Sequence, residues 1–197
     1  MFNRNYPALL DHTDALQLAE LAKQIPEGGI AVEIGSRLGG SAKIILEHAP
    51  RSAHLTCFDL EWIDRNVEGA YNSILEDGAM LQHMTLWNLA NYRTTWEFAI
   101  QYLAEHSNVT MVPANSPYDV TWDTPVDFVF EDSSHNNPQL IDNITFWWER
   151  LKPGCIMAGH DYMPAQPQVV IEADKLAKRY NLDLNINGTV WWVVKPL

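Results

Sequence analysis

A glycine-rich turn between a short apolar run and a helix constrains this chain more than any other feature of its sequence. It lies within the stretch from Ile30 to Glu47, which reads IAVEIGSRLGGSAKIILE. The β-branched residues of IAVEI predict a buried strand, and Glu33 lies at its carboxyl end, where open α/β sheets bind their ligands. The glycines that follow have no Cβ and would let the backbone approach a ligand closely: Gly35, Gly39 and Gly40. This arrangement predicts a nucleotide-type pocket.

The spacing of the glycines restricts which nucleotide the turn could hold. A dinucleotide fingerprint, G-x-G-x-x-G, places a pyrophosphate on the helix N-terminus, but Arg37 stands where its second glycine would be. A P-loop ends in Gly-Lys-Ser/Thr, and here Gly40-Ser41 has no lysine before the serine. The pattern fits neither motif and reads acid-x-Gly-x-x-x-Gly-Gly-Ser. Such a turn could also be purely structural in another α/β protein.

Composition excludes several classes of protein. A chain of 197 residues with 47% hydrophobic residues suits one globular domain, which we expect to span residues 1–197. The formal net charge of −12 would repel phosphate backbones, so we expect no nucleic-acid partner. The sequence shows no signal-like N-terminus and no apolar stretch of bilayer length, so we expect a cytoplasmic protein without a membrane partner. Cys57 and Cys155 lie in apolar runs without metal-binding spacing, which indicates buried free thiols.

Strand-like and helix-like segments alternate along the chain, which predicts a mainly parallel sheet with helices on both faces. The predicted strands are Ile30–Ile34, His54–Asp59, Val109–Val112, Val126–Glu131 and Cys155–Ala158. The predicted helices are Thr13–Ile25, Ser41–His48, a segment with Asn137 as N-cap and Pro138 in its first turn, and Pro167–Tyr180. Residues from about 60 to 108 have helical propensity and no clear strand, which predicts a helical insertion.

The C-terminal segment predicts an antiparallel end to the sheet. Two β runs, Leu182–Ile186 and Thr189–Val194, are separated by Asn187-Gly188, the strongest short hairpin signal. We therefore predict a doubly wound, Rossmann-like α/β fold with a seven-stranded mixed sheet that is mostly parallel. Dinucleotide dehydrogenases usually add a sixth parallel strand instead, so the hairpin argues against an NAD-dependent oxidoreductase.

An acidic residue also ends the second predicted strand. Asp59 follows Gly35 by 24 residues, close to the spacing at which a carboxylate meets the hydroxyls of a ribose. One carboxylate can accept hydrogen bonds from both hydroxyls, whether the ribose belongs to NAD or to S-adenosylmethionine (SAM). Asp59 therefore supports a nucleoside ligand without choosing between the two.

Polar residues follow the fourth and fifth predicted strands, which should be neighbours in such a sheet. Asp132 and His135 come after the fourth strand, and His160 and Asp161 come after the fifth. The four side chains should therefore converge on the same edge as the glycine turn. Two carboxylates and two imidazoles could act as a general base on a hydroxyl or as ligands of a divalent cation.

Four ordered segments, VEIGSRLGGS, FDLEW, FVFEDSSHNNPQLIDNITFWWERLKPG and IMAGHDY, together resemble the small-molecule branch of class I SAM-dependent methyltransferases. The resemblance covers most of residues 29–162 and implies SAM as cofactor. It implies cofactor contacts from the turn, from the ribose-binding acid and from a pair near the adenine: Glu33, Gly35, Ser36, Gly39, Ser41, Asp59, Asn115 and Ser116. Asp132 is implied near the adenine or the reaction centre.

The resemblance also suggests a metal and a base. Relatives in this branch often hold Mg²⁺ with acidic residues at these strand ends, which carries over here only to Asp132 and Asp161. His160 or Asp161 is the expected catalytic base. Two departures affect the pocket, because Ser133 stands where the family usually has glycine and Cys155 replaces the second glycine of Lys-Pro-Gly-Gly.

The leading hypothesis is therefore an enzyme that transfers a methyl group from SAM to a small hydroxylated acceptor, such as a sugar or a secondary metabolite. A divalent cation, Mg²⁺ or another, would assist by lowering the pKa of the hydroxyl. A non-catalytic module that binds SAM or another nucleoside would keep Glu33, Gly35 and Asp59 and tolerate loss of His160 and Asp161. An NAD-dependent oxidoreductase is the third alternative. The sequence leaves open whether the protein forms a homo-oligomer.

Overall fold

Seven strands form one sheet in the computed structural model, which describes residue 8 and residues 10–60 and 95–197. The strands are β1 (Ile30–Ile34), β2 (His54–Asp59), β3 (Val109–Pro113), β4 (Val126–Glu131), β5 (Leu151–Gly159), β6 (Asn185–Asn187) and β7 (Val190–Val194). The helices within the described residues are α1 (His12–Ala22), α2 (Gly40–His48), α3 (Thr95–Tyr102), α4 (Gln139–Arg150) and α5 (Pro167–Tyr180).

The strand order is β3-β2-β1-β4-β5-β7-β6. The first five strands in this order are parallel, whereas β7 pairs antiparallel with both β5 and β6. The predicted mixed, Rossmann-like sheet with a C-terminal antiparallel hairpin is therefore confirmed. Strand order reverses between β1 and β4, and such a reversal opens a crevice at the carboxyl ends of the strands.

The core consists of two apolar layers, one on each face of the sheet. Successive residues of β1 point to opposite faces, so Ala31 packs in the cluster that contains Leu18 of α1, whereas Val32 packs in the cluster that contains Trp147 of α4. Leu18, Val32 and Trp147 are completely buried. These layers fix the sheet between two pairs of helices, α1 with α2 and α4 with α5, and leave the carboxyl edge for the site.

Several element boundaries differ from the prediction. Helix α1 ends at Ala22 rather than at residue 25, and β5 begins at Leu151 rather than at Cys155, because Leu151 already pairs with Val126 of β4. Helix α4 begins at Gln139 with Pro138 as N-cap, so the prediction that Asn137 is the N-cap was wrong. Asn137 instead accepts a hydrogen bond from the Ile141 amide at 3.2 Å and donates one to Glu172 of α5 at 2.9 Å.

The C-terminal hairpin turns one residue later than predicted. Asn187 is the last residue of β6 and pairs with Val190, so the two loop residues are Gly188 and Thr189. Gly188 adopts a φ of 62°, which glycine accepts without strain. Thr189 is held by Asp14 of α1, which accepts a hydrogen bond from the Thr189 amide at 2.7 Å. A tertiary contact therefore sets the position of this turn.

The predicted helical insertion at about 60–108 lies largely outside the described residues. Within the part of it that the structure describes, α3 is helical, as predicted. In the described ranges, no helix combines the length and the apolar character needed to cross a bilayer.

Candidate active site

The turn after β1 is packed against the loop after β4. Gly35 adopts a φ of 93°, and its amide donates a hydrogen bond to the Phe58 carbonyl at 2.9 Å. A Cβ at position 35 would lie 2.2 Å from the carbonyl oxygen of Asp132. The sequence indicated that this glycine lets a ligand approach, but the backbone of Asp132 occupies the space beside it. Gly35 is therefore required by the close contact between two loops.

Helix α2 begins directly after this turn, and no side chain caps its N-terminus. Gly39 is the N-cap residue, with a φ of 80° in the left-handed region, and no side chain bonds to the first helical amides. Uncapped amides leave the partial positive charge of a helix N-terminus available to an anion. The helix start at Gly39 is thus suited to bind a carboxylate. The left-handed φ of this residue favours glycine at the position.

Glu33 is a fully buried carboxyl group beneath the turn. Burial raises its pKa to about 7, although the nearby side chains of Ser41, Ser36 and Cys57 act to lower it. Neither carboxyl oxygen of Glu33 has a hydrogen-bond partner of normal geometry among the described residues, and the Ser36 hydroxyl likewise has none. Buried polar atoms are nearly always bonded, so these atoms are available to hydrogen-bond with a ligand.

The ribose-binding candidate, Asp59, lies at the end of β2 and reaches back to the turn. Its Oδ2 accepts a hydrogen bond from the amide of Arg37, a non-glycine residue with a φ of 44°. Its Oδ1 accepts from the Leu60 amide at 2.7 Å. Asp59 therefore fixes the turn in its conformation, in addition to the ribose contact that the sequence predicts.

The pair predicted near the adenine follows β3, and its side chains are bonded to α4. Asn115 accepts a hydrogen bond from Gln139 at 2.6 Å. The buried Ser116 hydroxyl donates to Asn143 at 2.8 Å and accepts from the Trp147 indole at 3.1 Å. These contacts occupy the side chain of Ser116 within the protein, so a direct cofactor contact by its hydroxyl is not supported by the geometry.

The four polar residues after β4 and β5 converge, as the sequence predicted. His135 Nε2 lies 2.7 Å from Asp161 Oδ2. His160 Nδ1 lies 3.4 Å from Asp132 Oδ1 and 3.4 Å from Asp161 Oδ1. We call Asp132, His135 and Asp161 the rim triad, because one ligand atom from each lies within 4.8 Å of the others. Their half-buried carboxylates and imidazole match the donor set of a divalent cation.

His160 does not have the environment of a general base. Its ring is buried, and its Nε2 lies 3.2 Å from Asp14 Oδ2 and 2.9 Å from Thr189 Oγ1, while Nδ1 faces Asp132 and Asp161. Burial alone would lower the pKa of His160, but contacts with the three carboxylates raise it to about 12. Both ring nitrogens face carboxylates, which favours the protonated ring over the neutral form that a general base needs. These contacts argue against His160 as the base.

The charges of the rim triad depend on one another. Burial would raise the pKa of Asp161, but His135 and His160 lower it well below its ordinary value. The hydrogen bond to Asp161 raises the pKa of His135 despite its partial burial. Burial and the nearby Asp161 raise the pKa of Asp132, against the lowering effect of His160. The rim thus combines an ionised carboxylate, a second carboxyl and a partly exposed imidazole.

Sequence analysis missed two buried acids. Asp14 of α1 contacts His160 and is only 3% exposed. It lies on the apolar face of α1 with Leu18 and Leu21, and an acid at such a position is the signal that could have revealed it. Glu131, 4% exposed, accepts hydrogen bonds from Ser133, and burial raises its pKa to about 8.

Residues 32–162 match the sequence profile of a family described as a methyltransferase domain. The chain belongs to this methyltransferase family. The match covers more than half of the 197 residues and includes the glycine turn, Asp59 and all four polar residues after β4 and β5. The methyltransferase is of class I by its sheet topology, and SAM is its methyl donor. No curated protein sequence matches the chain.

Solved structures share the fold of this methyltransferase at low identity. A putative rRNA methylase from Clostridium thermocellum is 11% identical with a TM-score of 0.63, over 96% of this chain and 99% of that one. A putative caffeoyl-CoA O-methyltransferase from Staphylococcus aureus is 13% identical with a TM-score of 0.63, over 96% and 86%. A putative methyltransferase from Streptococcus mutans in complex with SAH is 12% identical with a TM-score of 0.59, over 95% and 99%.

Proposed function

We propose that this methyltransferase transfers the methyl group of SAM to a hydroxyl of a small acceptor molecule, with a divalent cation bound at the rim triad. The observation that carries the proposal is the convergence of Asp132, His135 and Asp161 beside the turn that contains Gly35. This arrangement places acid–base groups next to the part of the fold expected to hold the methyl donor. Methyl transfer is an in-line displacement, so positioning donor and acceptor accounts for much of its catalysis.

The turn offers complementary groups for SAM. The uncapped N-terminus of α2 at Gly39 suits the carboxylate of the methionine moiety. The buried Glu33 carboxyl and the Ser36 hydroxyl provide hydrogen-bonding atoms that have no partner of normal geometry among the described residues. Asp59 would accept hydrogen bonds from the ribose. Bound SAM supplies an electrophilic methyl group on its sulfonium.

The rim triad would hold the cation through two carboxylates and one imidazole. A bound cation of this kind would lower the pKa of a hydroxyl that it contacts, so that the acceptor could release its proton to water as the methyl group leaves the sulfonium. Asp161 is already ionised because its imidazole neighbours stabilise its charge, so it is ready to serve as a ligand without losing a proton. His135 is the accessible imidazole of the site, with a side chain that is 36% exposed.

A small acceptor fits the charge of the chain better than a nucleic acid. The net charge of −12 opposes binding to phosphate backbones. Some relatives in fold are described as rRNA methylases and others as O-methyltransferases, so the fold is compatible with both classes of acceptor. A non-catalytic SAM-binding module is the second candidate, and it would not require the rim triad.

Calorimetric titration with SAM and with NAD tests the cofactor. We expect SAM to bind and NAD not to bind. Asp59→Asn keeps one acceptor oxygen for the Arg37 amide but replaces the other with an amide nitrogen, so it should weaken SAM binding at least tenfold. Asp123→Asn, on an exposed aspartate, is the matched control. Binding of NAD in place of SAM would contradict the proposal.

A turnover assay tests the chemistry. The protein is incubated with methyl-labelled SAM and a panel of hydroxylated metabolites, with and without EDTA. We expect labelled product that is lost with EDTA, restored by Mg²⁺ or Mn²⁺, and reduced at least a hundredfold by Asp161→Asn. Turnover that persists in EDTA would exclude a role for the cation. The Asp161–His135 pair would then be the proposed proton acceptor. SAM binding with no turnover on any acceptor favours the non-catalytic module.

A further inference from the structure

Asp14 is a buried aspartate that the predicted reaction does not use. It lies in the first turn of α1, with a side chain that is 4% exposed, and its Oδ2 is 3.2 Å from His160 Nε2. Thr189 of the C-terminal hairpin donates two further hydrogen bonds to it, from its amide at 2.7 Å and from its hydroxyl at 2.9 Å. Asp14 therefore joins α1, the hairpin and the end of β5 through one carboxylate.

The opposite side of the same imidazole ring faces the rim triad. His160 Nδ1 lies 3.4 Å from one oxygen of Asp132 and 3.4 Å from one oxygen of Asp161. The backbone of His160 is fixed as well, because its amide donates to the Glu131 carbonyl at 3.1 Å. A planar ring that is held at Nε2 has a defined orientation at Nδ1. The position of Asp14 thus determines where the ring meets the two carboxylates.

The local structure of α1 does not account for Asp14. Asp11 already caps the helix, because its Oδ1 accepts a hydrogen bond from the Asp14 amide at 2.9 Å. Asp14 lies on the same helix face as Leu18 and Leu21, which are completely buried. A carboxylate on such a face is costly unless it is paired and hydrogen-bonded, and His160 and Thr189 supply those contacts. Asp14 is therefore explained by its partners beyond α1.

We propose that Asp14 is a positioning residue of the active site, which acts through His160 to hold Asp132 and Asp161 in the orientation that binds a divalent cation. This inference rests on the proposed function of the rim triad. Without the Asp14 carboxylate, the ring has no charged partner at Nε2 and can rotate away from the two carboxylates. The carboxylates would then repel one another and separate.

A double-mutant cycle on metal affinity tests this role. Calorimetry with MnCl₂ measures Mn²⁺ affinity in the wild-type protein, Asp14→Asn, His160→Asn and the double variant. We expect each single variant to bind Mn²⁺ at least tenfold more weakly. Because Asp14 acts through His160, the double variant should match His160→Asn within twofold. A loss in the double variant equal to the product of the two single losses would overturn the proposal.

Asp11→Ala is the matched control, since it removes the cap of the same helix without touching His160. Asp11→Ala should lower thermal stability, as a purely structural change does. It should leave Mn²⁺ affinity within twofold of the wild-type value. Unchanged affinity in Asp14→Asn would also overturn the proposal. If Asp14→Asn does not fold, Thr189→Val replaces it in the cycle, because it removes the hydroxyl that contacts both Asp14 and His160.

A crystal structure of Asp14→Asn separates this proposal from the proposed function. If the wild-type protein binds no Mn²⁺, the cation site of the proposed function is wrong. In that case the crystal structure alone decides whether Asp14 positions His160. We expect the His160 ring to be displaced from its place between Asp132 and Asp161. A ring in its original place would overturn the positioning role. The EDTA arm of the turnover assay reports on the cation independently of Asp14.

Discussion

Gly35 and Asp132 are in backbone contact: a Cβ at position 35 would lie 2.2 Å from the carbonyl oxygen of Asp132. The contact joins the turn after β1 to the loop after β4, at the point where strand order reverses. One side of this junction carries the cofactor candidates of the glycine turn, and the other carries Asp132 and His135 of the rim triad. The distance between the cofactor candidates and the residues of the rim therefore depends on the absence of a side chain at Gly35.

Replacing Gly35 with alanine should be severely destabilising. The new Cβ meets backbone atoms of Asp132 and Ser133 that cannot move separately from β4, and the φ of 93° adds strain. We expect Gly35→Ala to lower the free energy of unfolding by more than about 3 kcal/mol and to abolish SAM binding. Urea denaturation and calorimetry measure the two effects.

Gly28→Ala provides a matched control for the strain alone. Gly28 also has a positive φ, 67°, but a Cβ there would meet nothing within 4 Å. We expect a loss of about 1–2 kcal/mol and normal SAM binding. Equal losses in the two variants would show that the contact with Asp132 does not matter.

The buried Glu33 carboxyl should make the stability of the protein fall as pH rises. Its pKa is about 7 in the folded protein, against an ordinary value of 4.5 in the unfolded chain. Between these values the folded state holds a proton that the unfolded state has released, so the free energy of unfolding decreases with pH. Below about pH 4.5 and above about pH 7 this contribution is constant.

Glu33→Gln removes this ionisation. Relative to wild type, the variant should gain roughly 3 kcal/mol between pH 4.5 and pH 7.5, measured by urea denaturation without SAM. Glu149→Gln is the control, because it makes the same change on a side chain that is 69% exposed and leaves Glu33 in place. A pH-independent difference for Glu33→Gln would contradict the raised pKa.

The contacts of Ser133, in the loop after β4, explain why a hydroxyl stands at this position. Its hydroxyl donates to the buried Glu131 carboxyl at 2.6 Å and accepts from Asn143 at 3.2 Å. Ser133→Ala should therefore lower the free energy of unfolding by about 1–3 kcal/mol, because Glu131 loses its hydroxyl partner. The neighbouring Ser134→Ala removes only local contacts with Asn136 and should cost less than about 1 kcal/mol. Thermal and urea denaturation of both variants provide the comparison.

The two cysteines should differ in reactivity. Cys57 is fully buried, and burial raises its pKa well above the ordinary value. Cys155 is only half-buried, although burial and the nearby Asp127 carboxylate raise its pKa as well. Ellman's reagent should label one thiol slowly in the native protein and two in guanidinium. In Cys155→Ser the native protein should show no reactive thiol, and rapid labelling of that variant would place Cys57 at the surface.

The sequence alone determined the architecture, because apolar periodicity and turn residues act locally. The predicted strands His54–Asp59 and Val126–Glu131 and the predicted helix Pro167–Tyr180 have the observed boundaries. The convergence of Asp132 with Asp161 also followed from the sequence, since neighbouring parallel strands end at the same edge of a sheet.

Tertiary structure decided the chemical state of the site. Asp14 and His160 are separated by 146 residues, and no local pattern shows that a carboxylate on α1 meets the end of β5. That contact is part of what favours the protonated ring of His160, and a second contact of Asp14, with Thr189, holds the hairpin turn at Gly188 and Thr189. Periodicity reports which face of an element is buried, whereas the pairing of buried polar groups depends on how distant elements pack.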